Sequence, residues 1–253
     1  MKKILVLKDK KNEEKFYINS NSFTIIYDNY KFKRCLPVNY FFNNEKGEYN
    51  LFFYNKKIDE YSFIESGIEV VSFNFEDKFV SKNNLENVLF YLKNNYLSLE
   101  EISNRVEEYD NISLVHNLLY NKNKNISYNN KIFLSLFMSI LLKPNLLIID
   151  NILTSLDKKH KDVIIEMLKK INNEGTTICY YTSNVNDLLF GSNIMVYDND
   201  ILIINDKVKS GLKKCSGIKC LPLPFVIDLS TKLKYYNQIK RINYSIEELV
   251  DYL

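Results

Sequence analysis

Up to about residue 80 the chain alternates short β-branched and aromatic runs with polar turns. Phe23–Tyr27 (FTIIY), Tyr49–Tyr54 (YNLFFY) and Ile68–Phe73 (IEVVSF) read as strands. From Asn83 the pattern turns helical: NNLENVLFYLKNN is followed by SLEEISNRVEEY, where Ser98 and Glu101 have the spacing of a capping box. A polar stretch, Tyr120–Asn130, leads into Ile132–Leu142 (IFLSLFMSILL), an apolar run suited to a buried helix ending near Lys143. Strand, helix and strand follow as NLLIID, KDVIIEMLKKI and TTICYYT, and the helix places Val163, Ile164, Met167, Leu168 and Ile171 on one face. Two wholly apolar strands joined by a crossover helix predict a parallel sheet covered on both sides. NIMVYDNDILII reads as a hairpin. A tail follows a loop at Cys215–Leu221, opened by Pro222 and Pro224 and closed by a short helix with Ser245 and Glu248 as its capping pair.

Composition narrows this picture. With 253 residues, 46% hydrophobic and 26% charged, the chain has room for one full domain and a small annex. A net charge of +3 spread over scattered lysines does not by itself argue for nucleic acid, which is not expected as a partner. No run reaches the ~18 apolar residues of a membrane span, and the N-terminus lacks the apolar core of a secretion signal. Cys35, Cys179, Cys215 and Cys220 have no paired spacing and neither His116 nor His160 lies near them, so free thiols in a cytoplasmic protein are expected and zinc is not.

Candidate chemistry centres on PNLLIIDNILTSLD, residues 144–157. An apolar strand delivers Asp150 where a carboxylate could meet a magnesium ion, and Asn151 stands where a water-activating glutamate would follow. An aspartate at a strand end can equally cap the next turn. The order and spacing of these pieces resemble an ABC-type ATPase, and more narrowly the ATP-binding subunits of energy-coupling factor (ECF) transporters, bacterial importers of vitamins and metals. VSFNFEDKFVSKNNLENVLFYL matches that family's Q-loop and following helix, LLKPNLLIIDNILTSLD its Walker B strand and D-loop, and LPLPFVIDLSTKLK with SIEELVDYL its C-terminal extension. The resemblance implies an α/β ABC ATPase fold with a mixed sheet and a helical subdomain at about 82–143. It divides the chain into an ATP-binding domain over 1–212 and a dimerisation extension over 213–253.

The same resemblance implies that the chemistry has been lost. The Walker A position falls on YDNYKFKRC, residues 27–35, which contains no glycine to turn backbone amides around phosphates. Tyr30 and Phe32 replace glycines, Asn29 and Lys33 match the family pattern, and Arg34 and Cys35 replace the magnesium-binding hydroxyls. Phe73 takes the Q-loop glutamine's place, Asn151 the glutamate's and Ser183 the switch histidine's; an amide cannot accept water's proton. No catalytic residue is therefore expected, and bound ATP or magnesium is doubtful. The signature becomes ISYNN, keeping Ser127. With Ser155 and Asp157 of the D-loop it forms the set that acts on a partner's nucleotide. This bias points to a pseudo-ATPase in a heterodimer with a competent ABC subunit, beneath a membrane-embedded subunit and peripheral to the inner face of the cell membrane. The alternative is a binding or regulatory module that has left transport. Phe73, Phe75 and Phe79 are candidates for docking the membrane subunit, or else alternate into the core. Phe225, Val226, Leu229 and Leu233 form an apolar stripe in the extension, for which the resemblance favours a partner as cover.

Overall fold

The computed structural model describes residues 2–29, 34–43, 49–59, 62–120, 126–218 and 221–251. Strands β1 (Lys3–Asp9), β2 (Glu14–Asn19), β4 (Tyr49–Phe53) and β5 (Lys56–Ile58) form an antiparallel sheet in the order β2-β1-β4-β5. The second sheet has six strands, β3 (Phe23–Asn29), β6 (Ile68–Val71), β7 (Leu146–Ile149), β8 (Thr177–Thr182), β9 (Asn193–Asp198) and β10 (Ile201–Lys207), in the order β10-β9-β3-β8-β7-β6. All its neighbours are parallel except the β9–β10 hairpin, so the sheet is mixed as expected. The pattern assigns no strand to Lys3–Asp9, yet β1 is central in the smaller sheet. Its ILVL core is short and flanked by lysines, and only pairing on both edges buries it.

The helices are α1 (Leu36–Phe42), α2 (Phe63–Ser66), α3 (Asn84–Asn94), α4 (Leu99–Glu107), α5 (Ser113–Tyr120), α6 (Tyr128–Leu141), α7 (Lys158–Asn173), α8 (Val208–Ser216), α9 (Phe225–Tyr235) and α10 (Ile246–Val250). Ten consecutive residues of α6, from Ile132 to Leu141, are buried, as its all-round apolar sequence requires. Its carboxyl end is closed by the Arg105 guanidinium, which donates to the carbonyls of Leu141 and Leu142 at 2.7 Å each. The capping box of Ser98 and Glu101 is present on α4. Helix α7 buries Ile164, Ile165, Met167, Leu168 and Ile171, while Val163 stays at the edge of that face.

Two departures concern the tail. A helix, α8, runs through the expected boundary at 212/213 and into the expected loop; Gly211 lets it lie on β9, because a Cβ there would sit 2.5 Å from Ile194 Cδ1. The apolar stripe of α9 is largely covered by its own chain. Val226 and Ile227 are buried in the main core with Leu221, Ile239 and Leu249, Leu229 and Leu233 pack against it, and only Phe225 remains open, at 65% exposure. A core long enough to receive α9 was not visible in the spacing of the stripe itself.

Candidate functional site

The segment between β3 and α1 is where the resemblance puts the phosphate loop. Lys33, with Tyr30 and Phe32, lies outside the described residues; Asn29, Arg34 and Cys35 lie within them. Asn29 turns away to donate to Asp198 Oδ1 at 3.2 Å. Two carboxylates meet the amino end of α1: Asp28 Oδ2 accepts the Cys35 N–H at 2.8 Å, and Asp200 Oδ1 accepts the Leu36 N–H at 2.9 Å. Asp28 is buried, and among the described residues its Oδ1 has no hydrogen-bond partner. Burial pushes the Asp28 carboxyl above the ordinary range; the bonds from Cys35 pull it down, Asp200 pushes it up again, and the Arg34 charge lowers it. Asp200 sits at φ 71° beside Asn199 at φ 49°, two left-handed residues in the β9–β10 turn, where glycine usually takes the second place.

Backbone amides at a strand–helix junction are what a phosphate-binding loop offers to an anion. Here the amides of Cys35 and Leu36 are already bound by the chain's own negative groups. A nucleotide phosphate entering would meet two carboxylates in place of donors, and Cys35 offers magnesium only a buried thiol, which burial holds protonated. Among the described residues no group of three or more histidine, cysteine or carboxylate side chains could hold a metal. The described residues at this helix end, Asp28, Cys35 and Asp200, offer a polyphosphate no free amide at Cys35 or Leu36.

Asp150 adopts the capping alternative. Its Oδ1 accepts the Asn151 N–H at 2.7 Å and starts a short 3₁₀ turn, Asn151–Ser155. Burial raises its carboxyl, offset by that N–H and by the charge of Arg34. Asn151 and Ser183, at the glutamate and switch positions, are bonded to each other twice: Asn151 Nδ2 donates to Ser183 Oγ at 2.8 Å, and the Ser183 N–H donates to Asn151 Oδ1 at 2.9 Å. Each satisfies the other.

The remnants of the signature and the D-loop also come together. Ser127 caps α6 by accepting the Asn130 N–H at 3.2 Å, and Asp157 caps α7 by accepting the His160 N–H at 3.0 Å. Asn129 Nδ2 donates to Asp157 Oδ2 at 3.3 Å, while the His160 ring lies between Asp157 Oδ2 (2.7 Å) and Asn130 Oδ1 (2.9 Å). Ser155 is exposed at the end of the 3₁₀ turn. The place of His160 in this cluster carries no sequence signal, because its partner on α6, Asn130, is 30 positions away.

Of the three candidate docking phenylalanines, Phe75 must be withdrawn. It is 2% exposed, with its ring edge-on to Phe79 and tilted against Tyr128, because the chain turns it into the helical layer. Phe73 is 41% exposed and Phe79 packs at the rim of the core. Behind this loop, Glu69 Oε1 accepts from Lys78 Nζ (3.0 Å), Tyr91 OH (2.6 Å) and Ser139 Oγ (2.6 Å), joining β6, the loop, α3 and α6.

No family model matches the chain. It is 21% identical over 174 residues to the ECF transporter ATP-binding protein EcfA1 of Mycoplasma pneumoniae, an alignment covering 68% of this chain and 64% of that relative. EcfA1 of Mycoplasma genitalium is 22% identical over 193 residues, covering 75% and 70% of the two chains. Among solved structures, cbiO1 of Clostridium perfringens, part of the ABC transporter complex cbiONQ, superposes with a TM-score of 0.66 at 18% identity, over 94% of this chain and 98% of that one. The ATP-binding subunit of an ABC transporter gives 0.68 at 12% identity, over 91% and 99%.

Proposed function

We propose that this chain, which has the ABC ATPase fold and resembles the ATP-binding subunits of ECF transporters, is a non-hydrolysing subunit of such an importer. It pairs with a competent ABC subunit under a membrane-embedded one, on the cytoplasmic face of the membrane. The observation that carries the loss of chemistry is the self-satisfied site: Asp28 and Asp200 hold the amides at α1, and Asn151 and Ser183 hold each other. With no base and no phosphate cradle, the purified chain is expected to hydrolyse no ATP above the buffer rate, and Asn151→Glu alone is expected to restore none. Calorimetry is expected to show no MgATP binding below millimolar concentration. Turnover by Asn151→Glu, or a micromolar dissociation constant, would refute the reading.

Partnership is supported by what the C-terminal annex leaves open. After α9 and α10 are packed, Phe225, Ile246 and Val250 are each more than 60% exposed, and Ile246 and Val250 are one turn apart on α10. Exposed apolar groups of this size are suited to burial in an interface. Phe225→Asp with Val250→Asp should leave the thermal midpoint of the isolated chain unchanged. Co-purification with a co-expressed ABC subunit having an intact phosphate loop should fall by about tenfold or more. Undiminished recovery of the pair would assign these residues no part in assembly.

A further inference from the structure

The smaller sheet carries a second feature, unrelated to the nucleotide site. Residues 2–19 and 49–59 hold eight lysines against four carboxylates, leaving 26 basic against 27 acidic residues elsewhere in the chain. The net positive charge of the protein therefore resides on this sheet. One of its faces is buried, built from Leu5, Leu7, Phe16, Ile18, Leu51 and Phe53. By alternation, the other face carries the cross-strand row Tyr17, Val6, Phe52 and Lys57, one residue from each strand, of which Val6 is buried, Tyr17 and Phe52 are half-buried and Lys57 is exposed.

Lysines cover the rings on and around this face. Lys3 Nζ lies 4.3 Å from the centre of the Tyr17 ring, Lys8 Nζ 5.0 Å from Phe52 and Lys2 Nζ 5.6 Å from Tyr54. The acidic groups of the β1–β2 end are engaged locally, Glu14 with Lys3, and Asp9 and Glu13 with Lys15. Among the described residues no ion pair involves Lys8, Lys10, Lys11, Lys56 or Lys57.

We propose that the outward face of the four-stranded sheet is a docking surface for the anionic headgroups of a lipid bilayer. Its charge is spread over Lys8, Lys15 and Lys57 of the outward face and Lys10 and Lys11 of the adjoining β1–β2 turn, a broad basic surface complementary to a layer of anionic headgroups. Binding of single-stranded nucleic acid stacks successive bases on open rings, and here lysines lie over Tyr17 and Phe52 and leave Tyr54, at 44% exposure, as the open one. A polybasic surface without an inserted apolar wedge binds by charge, within a Debye length of the lipid.

The test is co-sedimentation of the full chain with vesicles of phosphatidylcholine containing about a third phosphatidylserine. Binding is expected at about 0.1 M salt, with release at about 0.5 M. Lys10→Glu, Lys11→Glu and Lys57→Glu together should weaken partitioning by about a hundredfold, since each lysine near such a surface contributes about a factor of five. The triple change to glutamine should weaken it less but clearly. Lys93→Glu, Lys158→Glu and Lys159→Glu give the same net charge from the other side of the sequence and should stay within about twofold of wild type. Equal losses in both glutamate triples, or wild-type binding no stronger than to pure phosphatidylcholine, overturns the proposal. So does tighter binding of single-stranded poly(U) than of the vesicles, lost in the same triple.

Discussion

Replacing Asp187 with alanine should lower the free energy of unfolding by about 3–5 kcal/mol, the range seen when one partner of a buried ion pair is removed. Asp187 is 1% exposed and accepts three bonds: from Lys161 Nζ at 2.8 Å, Tyr180 OH at 2.7 Å and Thr182 Oγ1 at 2.9 Å. It ties β8 to α7 at the strand end that leads into Ser183. Alanine strands the ammonium of Lys161 over the Phe190 ring and leaves two hydroxyl donors unpaired, each costing about 1–3 kcal/mol if no water reaches it. Asparagine retains part of the bonding without the charge and should fall between. Urea unfolding with an unchanged slope measures this. A loss under about 1 kcal/mol would mean that solvent replaces the carboxylate.

The second large effect belongs to Glu69 and Lys78, which are 12% and 14% exposed in their side chains. Burial holds the Lys78 ammonium below the usual lysine range, opposed by the charge and hydrogen bond of Glu69. Glu69→Ala removes the acceptor of Tyr91 and the charged acceptor of Lys78 and Ser139 at once, leaving Lys78 only the Ser139 hydroxyl at 2.8 Å, with an expected cost of about 3–5 kcal/mol. Glu69→Leu with Lys78→Met removes both charges and should be within about 1 kcal/mol of wild type. If the double replacement is as damaging as the single one, packing and not charge carries the junction. In the intact chain the network fastens the loop of Phe73 and Phe79 to β6, α3 and α6. Amide exchange in residues 72–82 is therefore expected to quicken in the single variant.

Much of this architecture was legible in the sequence because it follows local rules. Strands β3, β7 and β8 are unbroken apolar runs, α6 is apolar all round, and Ser98 and Ser245 cap the helices that follow them as their spacing to Glu101 and Glu248 predicts. The failures are non-local. Strand β1 needs both neighbours to bury it, and α1 is a seven-residue helix, too short to show a period. Phe75 and Phe73 are indistinguishable in sequence, yet one is core and the other surface. The residues that close the site, Asp28 and Asp200, carry no motif; Leu36 and the carboxylate it donates to are 164 positions apart. An aspartate near the end of an otherwise apolar strand, FTIIYDN, was the one signal available.

The left-handed Asp200 bears on how this protein can change over generations. A non-glycine residue at φ 71° costs about 1–2 kcal/mol of backbone energy. Its bond to the Leu36 amide returns about 1.5–3 kcal/mol as a charge-assisted contact. Glycine at 200 relieves the first term and forfeits the second, and it opens nothing while Asp28 still holds Cys35. A change at Asp28 alone meets the same obstacle from the other side. Because the two carboxylates share one helix end, their effects are not independent. Freeing both amides at this helix end therefore takes two substitutions together, neither of which opens it alone, so single changes leave the end of α1 closed.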